Sequence, residues 1–342
     1  MVKKAELYVP AEWDKHEACW MAWPTHSSAW GGHLLRAQRQ FVAFCKALAE
    51  SKDAERIELL VANDDAEAQA KKALGEFDGQ IHYRKVPYGD IWLRDTGPIF
   101  ARSGSGLKAV QFTFNGWGGR YVYDNDESVG AAIAKARRLK AKTHELVLEG
   151  GALETNGAGT CITTRSVVLN DNRNPEMEEE HFEKILASTL GIRKVIWLDW
   201  GLMGDHTDGH VDNLARFVAP EVVMHMQATT ADDANQATLS RIRGVLAEST
   251  DADGKPFKLV SIPSPGRITS SEGKVMAASY LNFYIANGAV IVPAFGSRMD
   301  RLARDAIAAQ FPKRQVVSLD ARGLLEGGGT FHCMTLQEPQ VG

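Results

Sequence analysis

The chain has 342 residues, a formal net charge of −4 and a pI near 6.2, a balance that argues against nucleic acid or an anionic membrane as its main partner. Hydrophobic residues make up 44% and charged residues 24%, as in ordinary globular proteins, and Cys19, Cys45, Cys161 and Cys333 lack the spacing of a thiolate zinc site or a disulfide framework. The N-terminus has no apolar core of signal-peptide length, and the most apolar run, 277–295, is interrupted by Asn282, Asn287, Gly288 and Pro293; a cytoplasmic protein without a membrane span is expected.

In chain order, residues 10–30 hold Trp13, Trp20, Trp23 and Trp30 and read as an aromatic loop capping a core. A helix is predicted over 34–50, with Phe41, Phe44, Cys45 and Leu48 at 3-and-4 spacing on its apolar face. A strand over 56–61 follows, then a helix opened by Asn63 and closed by Gly75, then a strand over 81–86. The glycines at 104 and 106 join a hairpin that continues over 108–114, and Asn156-Gly157 joins two further short strands. Asn174-Pro175 is expected to open a helix reaching Leu190, ahead of a strand over 194–198. Strands over 214–218 and 222–226, a helix over 231–249, strands over 280–285 and 289–292, a helix over 300–310 and strands over 315–319 and 331–335 complete the reading. Polar, glycine-bearing turns recur at Trp92, Glu149, Asp208, Asn287 and Glu326. Their unequal spacing rules out a regular repeat array but suits about five related β-β-α-β units with varied loops. No linker or low-complexity tract divides the chain, so residues 1–342 are expected to form a single domain.

The chemistry concentrates at these turns. In Gly204 to Asn213, His206, Asp208, His210 and Asp212 alternate with other residues. An extended backbone would point all four to one face, and the stretch is then a metal site, a catalytic His-Asp pair or a solvated polar turn. Asp95 follows Arg94, is held by Gly97-Pro98 and has the flat surface of Trp92 beside it. Glu149 precedes Gly150-Gly151, a pair that lets a second backbone or a ligand come close. Glu326 opens three consecutive glycines that lead to Cys333. Glycines at that density are costly to order and make sense where the backbone passes a ligand, although a lone cysteine in a late strand is more usually a packing residue.

Taken together, Trp92-Leu-Arg-Asp95-Thr-Gly-Pro98, Phe114-Asn-Gly-Trp-Gly-Gly119, Glu149-Gly-Gly151, Asn170-Asp-Asn-Arg-Asn-Pro175, Asp208-Gly-His-Val-Asp-Asn213 and Gly327-Gly-Gly-Thr-Phe-His-Cys-Met-Thr335 resemble the agmatine deiminase and bacterial peptidylarginine deiminase family. The resemblance runs in order over essentially the whole chain. It implies an α/β fold of the pentein type, a pseudo-fivefold α/β propeller of ββαβ-like units around a central site. It implies hydrolysis of a guanidinium, foremost agmatine to N-carbamoylputrescine and ammonia, with arginine or peptidyl-arginine as alternative substrates, and neither metal nor cofactor. Carried over by position, Cys333 is the nucleophile, His210 the general acid and base, and Glu149 the group orienting it. Asp95 and Asp212 hold the guanidinium, and Trp92 and Trp117 flank the substrate. The partner is a small cationic guanidine, with no role for nucleic acid or membrane, and a homo-oligomer is left open. Two positions depart from the usual pattern: His206 stands where an acidic residue is common, and Thr330 where asparagine is common. Two readings compete from other classes, a metal-dependent hydrolase using His206, Asp208, His210 and Asp212, and a non-catalytic binding propeller.

The implied chemistry suits these residue types. A guanidinium is a planar fork of N–H donors that two carboxylates can hold by charge-assisted hydrogen bonds. Its carbon is a poor electrophile and calls for a thiolate, and ammonia leaves only when protonated.

Overall fold

The computed structural model describes residues 7–104 and 106–341. Five small sheets share one pattern, an antiparallel pair of strands followed through a helix by a strand parallel to the second of the pair. Ile99–Ser103 and Gly106–Thr113 pair antiparallel, and helix Asp126–Ala136 carries the chain to the parallel strand Ala141–Val147. The same order holds for Glu154–Thr155, Thr160–Thr164 and Lys194–Leu198 around helix Glu179–Leu190. It holds again for Ala215–Ala219, Val222–Gln227 and Lys258–Pro263 around helix Gln236–Glu248. Tyr284–Ile285, Ala289–Ala294 and Gln315–Asp320 repeat it around helix Asp300–Ala308.

The remaining sheet joins the two ends of the sequence. The late strand Leu336–Pro339 pairs antiparallel with His16–Ala22, which lies parallel to Arg56–Val61 across helix Leu34–Ala49. Ile81–Lys85 extends this sheet, and Leu7–Tyr8 adds to the edge of the sheet that holds Ile99–Ser103. The helices bury one stripe each, as their patterns require: Phe41, Phe44, Cys45 and Leu48 are all inaccessible. Helix Asp64–Leu74 starts as the sequence indicates, with the Asn63 side chain accepting from the Ala66 N–H at 2.9 Å. No helix among the described residues is long and apolar enough to cross a membrane.

Several expectations need correction. The stretch 10–30 is not only a loop, because His16–Ala22 is a strand in the middle of its sheet. It is buried on both faces, so it lacks the alternation that marks a half-exposed strand. Ala141–Val147 and Lys258–Pro263 went unread because they are edge strands whose outward residues are polar. Asn174 does not open a helix: its side chain accepts from Val147 N at 3.0 Å and donates to Val147 O at 2.9 Å, and the helix starts at Glu179. The helix expected from 231 begins at Gln236. Residues 331–335 form a turn, with the strand beginning at Leu336, and residues 204–213 are not a strand at all. There the backbone turns through Gly204 (φ 79°), Asp208 (φ 68°) and Gly209 (φ 119°), so alternation does not put the four ionisable side chains on one face.

Candidate active site

Each of the five antiparallel pairs is entered through a short loop, and each loop delivers a polar side chain to one place. Asp95 precedes strand Ile99–Ser103 and Glu149 precedes Glu154–Thr155. His210 and Asp212 precede Ala215–Ala219, Asn282 precedes Tyr284–Ile285, and Cys333 precedes Leu336–Pro339. All six are buried. Sheet hydrogen bonding fixes the strands, so the loops feeding them are set to within the precision of the ladder.

Cys333 Sγ lies 3.1 Å from Asn282 Nδ2 and 3.5 Å from Asp212 Oδ2. The Asn282 amide can face only one way. Its Oδ1 accepts from Thr330 Oγ1 at 2.6 Å, from the His332 N–H at 3.1 Å and from the Cys333 N–H at 3.4 Å, which turns Nδ2 toward the sulfur and Asp212. Asp212 Oδ2 also accepts from His332 Nδ1 at 2.8 Å, while its Oδ1 is buried without a partner. His332 Nε2 meets Glu12 Oε2 at 2.9 Å, and Glu12 is paired in turn with the inaccessible Arg216. Burial alone would raise the Asp212 carboxyl, but His332, His210 and Arg216 together bring it below its ordinary value.

The His210 ring sits between two carboxylates, Nδ1 3.7 Å from Asp95 Oδ1 and Nε2 3.7 Å from Glu149 Oε2, and neither nitrogen makes a hydrogen bond. Burial favours the neutral ring, yet the charges of Asp95, Glu149 and Asp212 outweigh it and lift the imidazole to about 9. At neutral pH His210 is therefore an imidazolium with its N–H groups uncommitted. Burial pushes the Cys333 thiol well above its ordinary value, and Asp212 and Asp95 push it further. Burial likewise raises Asp95. Glu149 would follow, but His210 and the buried Arg173, whose Nε donates to both its oxygens at 2.9 and 3.0 Å, hold it below the usual range.

The glycines at this centre answer to contact. A Cβ at Gly151 would stand 2.6 Å from His210 Nδ1 and 2.7 Å from Asp95 Oδ1, while its own N–H donates to Asp95 Oδ1 at 3.0 Å. Gly329 has the same constraint, with Trp92 and Cys333 Cβ inside 3 Å of any added carbon. Trp117 carries a left-handed backbone (φ 54°) between glycines at 116 and 118. Its indole Nε1 donates to Asp95 Oδ2 at 2.9 Å, which accounts for holding a bulky residue in a strained conformation.

Cys333 and Asp95 open on a cleft of about 620 Å³ whose walls include Trp92, Trp117, Tyr121, His206 and Glu326. The residues singled out in the sequence, Cys333, His210, Glu149, Asp95, Asp212, Trp92 and Trp117, thus meet at one centre. The metal constellation does not assemble. Asp208 is bound by Arg173 and Arg120 at 2.7 and 2.8 Å, His206 Nδ1 faces Tyr121 Oη at 3.0 Å, and Asp212 belongs to the Cys333 side. Among the described residues no group of three or more His, Cys, Asp or Glu side chains is arranged to hold a metal ion. Asn287 is also not a site residue; it pairs with His16 and Glu55, and Asn282 occupies that unit's place. Asn282, His332 and Arg173 were missed as individuals, though each lies inside a stretch that drew attention. Asn282 and His332 touch Asp212 and Arg173 touches Glu149, contacts between distant parts of the chain that the sequence does not signal.

The comparisons with known proteins agree along the whole chain. An agmatine deiminase of Stutzerimonas stutzeri is 36% identical over 356 aligned positions, covering 97% of this chain and 95% of that protein. The agmatine deiminase of Enterococcus faecalis superposes with a TM-score of 0.90 at 29% identity, covering 98% of this chain and 97% of the other. A DDAH from Pseudomonas aeruginosa complexed with citrulline, at 13% identity and a TM-score of 0.52, shares the α/β fold alone. A sequence profile of Porphyromonas-type peptidyl-arginine deiminases matches residues 8–339, and the chain belongs to that family.

Proposed function

We propose that this chain hydrolyses the guanidinium of agmatine, releasing ammonia and N-carbamoylputrescine, through a covalent amidino adduct on Cys333. The observation that carries the reading is the buried convergence of a thiol with an imidazolium and two carboxylates, in which Asp212 Oδ1 and both His210 nitrogens make no hydrogen bond within the protein. Unpaired buried polar atoms cost stability; the N–H donors of a planar guanidinium satisfy the acceptor Asp212 Oδ1, and the uncommitted N–H of His210 is left to protonate the departing nitrogen. The substrate is taken from the relatives named agmatine deiminases. It is supported by a cleft lining that includes Asp90, Asp95 and Glu326 but neither lysine nor arginine.

Asp95 and Asp212 accept N–H hydrogen bonds from the guanidinium and fix its plane. The arriving cation offsets the two negative charges that hold the Cys333 thiol high, so the thiol gives its proton to solvent. The Asn282 Nδ2–H donates to the resulting thiolate. Sγ bonds to the guanidinium carbon and one C–N electron pair moves to nitrogen. The His210 imidazolium protonates that nitrogen, the C–N bond breaks and ammonia leaves. Neutral His210 then takes a proton from water, whose oxygen attacks the amidino carbon. The C–S bond breaks, the sulfur departs as thiolate, the proton of the new hydroxyl passes to solvent and the urea product is free. Glu149, itself clamped by Arg173, keeps the imidazole in place through both transfers. Trp117 positions Asp95 by its indole N–H, and Trp92 forms a wall of the cleft.

In this reading the five sheets are blades of a pseudo-fivefold α/β propeller of the pentein type, and residues 1–342 act as one catalytic domain. Support comes from the recurrence of one strand pattern in every sheet and from the way each unit's entry loop supplies a site residue.

The test is ammonia release from agmatine by the wild type and by Cys333→Ser. A serine hydroxyl of nearly equal volume is far less ionised, so the variant should fold normally and release no detectable ammonia. Intact-mass measurement of quenched wild-type turnover should show the amidino adduct on the protein. Residual activity within about tenfold of wild type, a barrier change of only about 1.4 kcal/mol, would exclude covalent thiol catalysis.

A further inference from the structure

The proposed catalytic roles concern the reacting end of the substrate and leave its far end unassigned. Of the carboxylates in the cleft wall, Asp95 is committed at the base. Asp90 is committed too. Its Oδ1 accepts from the Ile91 N–H at 2.8 Å and its Oδ2 from Trp92 Nε1 at 2.9 Å. Burial and the neighbouring Asp126 also lift Asp90 to about 7, which makes it a poor anion at neutral pH.

Glu326 differs on both counts. Its Oε1 accepts from the Ser271 N–H at 2.8 Å, and its Oε2 lies 3.9 Å from His33 Nε2, beyond hydrogen-bond reach. The side chain is 14% exposed, enough to meet a ligand yet sheltered from full solvent screening. It starts the triglycine segment that ends at Cys333, so its backbone is tied to the nucleophile. It also stands where the catalytic cleft joins a second groove of about 1060 Å³, a junction it shares with His206, Ala29 and Gly328. Among the described carboxylates lining the catalytic cleft, Asp90, Asp95 and Glu326, Glu326 is the one with an oxygen that makes no hydrogen bond, and His206 beside it is turned to Tyr121.

We propose that Glu326 is the specificity-determining residue of this cleft, its carboxylate receiving the distal ammonium of an aminoalkylguanidine and selecting such dications over guanidines whose far end is neutral or carries a carboxylate. The proposal rests on the deiminase reading of the same cleft. Free arginine carries a carboxylate on the same carbon as its ammonium, so its far end has no net charge and the carboxylate is repelled by Glu326. Agmatine places an ammonium there.

The experiment compares kcat/KM for agmatine and for n-pentylguanidine, which replaces the ammonium by a methyl group of similar size. Glu326→Gln keeps the oxygen that accepts from Ser271 and the side-chain volume, and removes the charge. The agmatine-to-pentylguanidine ratio should fall by about tenfold, the range of a charge-assisted hydrogen bond in a half-sheltered site, and mainly through KM for agmatine. Glu326→Lys should lower the ratio further. An equal loss on both substrates would mean that Glu326 only supports the Ser271 loop and would overturn the proposal. So would a ratio unchanged in Glu326→Gln but reduced in Asp90→Asn. A wild type that deiminates neither guanidine overturns the catalytic reading itself, an outcome distinct from an unchanged ratio.

Discussion

At the scale of single residues, the pairing of His210 with Cys333 fixes a pH dependence whose sign can be worked out. The resting centre holds a thiol kept high by burial and an imidazolium whose value is lifted to about 9. The form that reacts, thiolate with imidazolium, has one proton fewer than the resting form. The fraction of enzyme with that proton count grows as pH rises toward 9, whichever of the two groups gives up the proton. We therefore expect kcat/KM to climb by about tenfold per pH unit from pH 7 toward 9, then to level. n-Pentylguanidine is the substrate to use, because its charge does not change over that range. The kcat profile should be flatter, since the bound cation has already lowered the thiol. A kcat/KM profile flat between pH 7 and 9 would mean that the resting centre is already thiolate and imidazolium. Cys19, Cys45 and Cys161 are inaccessible and their thiols are likewise raised by burial, so none of them competes for this chemistry.

Between residue and fold stand the loops, and Arg173 is the side chain that ties them together. Its guanidinium, inaccessible to solvent, donates to Glu149 from the Gly150-Gly151 loop, to Asp208 at 2.7 Å and to the Thr207 carbonyl at 3.0 Å from the His210 loop. Arg173→Met would leave the Glu149 carboxylate buried with only His210 near it. Removing one partner of a buried ion pair typically costs about 3–5 kcal/mol. That loss should appear as a lower urea midpoint at unchanged slope, and activity should fall further than stability because Glu149 is freed. Arg173→Lys keeps a charge but not the fork, and should recover part of the stability and little of the activity. If Arg173→Met matches wild type in both, the loops are held by their backbones and the fork is dispensable. Arg173 also shows what the sequence could and could not disclose. The Asn170–Pro175 stretch is conspicuous, yet nothing local says that its arginine reaches two other loops. Asp95, Glu149 and Cys333 stood out because glycines near each need a reason and His210 because it lies among alternating ionisable side chains, while the roles given to them came from the family resemblance. Asn282 did not stand out, because it lies in an apolar run where a lone amide looks incidental and its partners are contributed from 330–333. Elements behaved alike. Amphipathic helices and half-exposed hairpins announced themselves, while His16–Ala22, buried on both faces, and the polar edge strands gave no periodic signal.

Over the whole molecule, the position of the nucleophile depends on the meeting of the chain's two ends. Strand Leu336–Pro339 begins just after Cys333 and pairs with His16–Ala22. Trp20 Nε1 donates to Glu338 Oε2 at 2.9 Å, Arg137 Nε donates to Glu338 Oε1 at 2.8 Å, and Arg94 Nη1 donates to Gln337 Oε1 at 2.6 Å. On the other side of Cys333, His332 bonds Glu12, and the Arg94 N–H donates to the Cys333 carbonyl at 3.1 Å. The late strand is thus held by the first strand of the core, by a helix of the next unit and by the loop that carries Asp95. A chain ending at Thr335 keeps every proposed catalytic side chain but loses this anchor and leaves the inaccessible Trp20 indole without its acceptor. Closing a sheet between distant ends also constrains everything enclosed, so its loss should be felt beyond the strand itself. We expect this truncation to abolish ammonia release, to shift the urea midpoint of the whole protein downward and to move tryptophan emission toward that of exposed indole. A chain ending at Gln340 retains the strand and should match the 342-residue chain in all three measurements. Should the Thr335 truncation instead keep its activity, Cys333 must be placed by Asn282 and Arg94 alone, and closure of the chain would serve stability rather than catalysis.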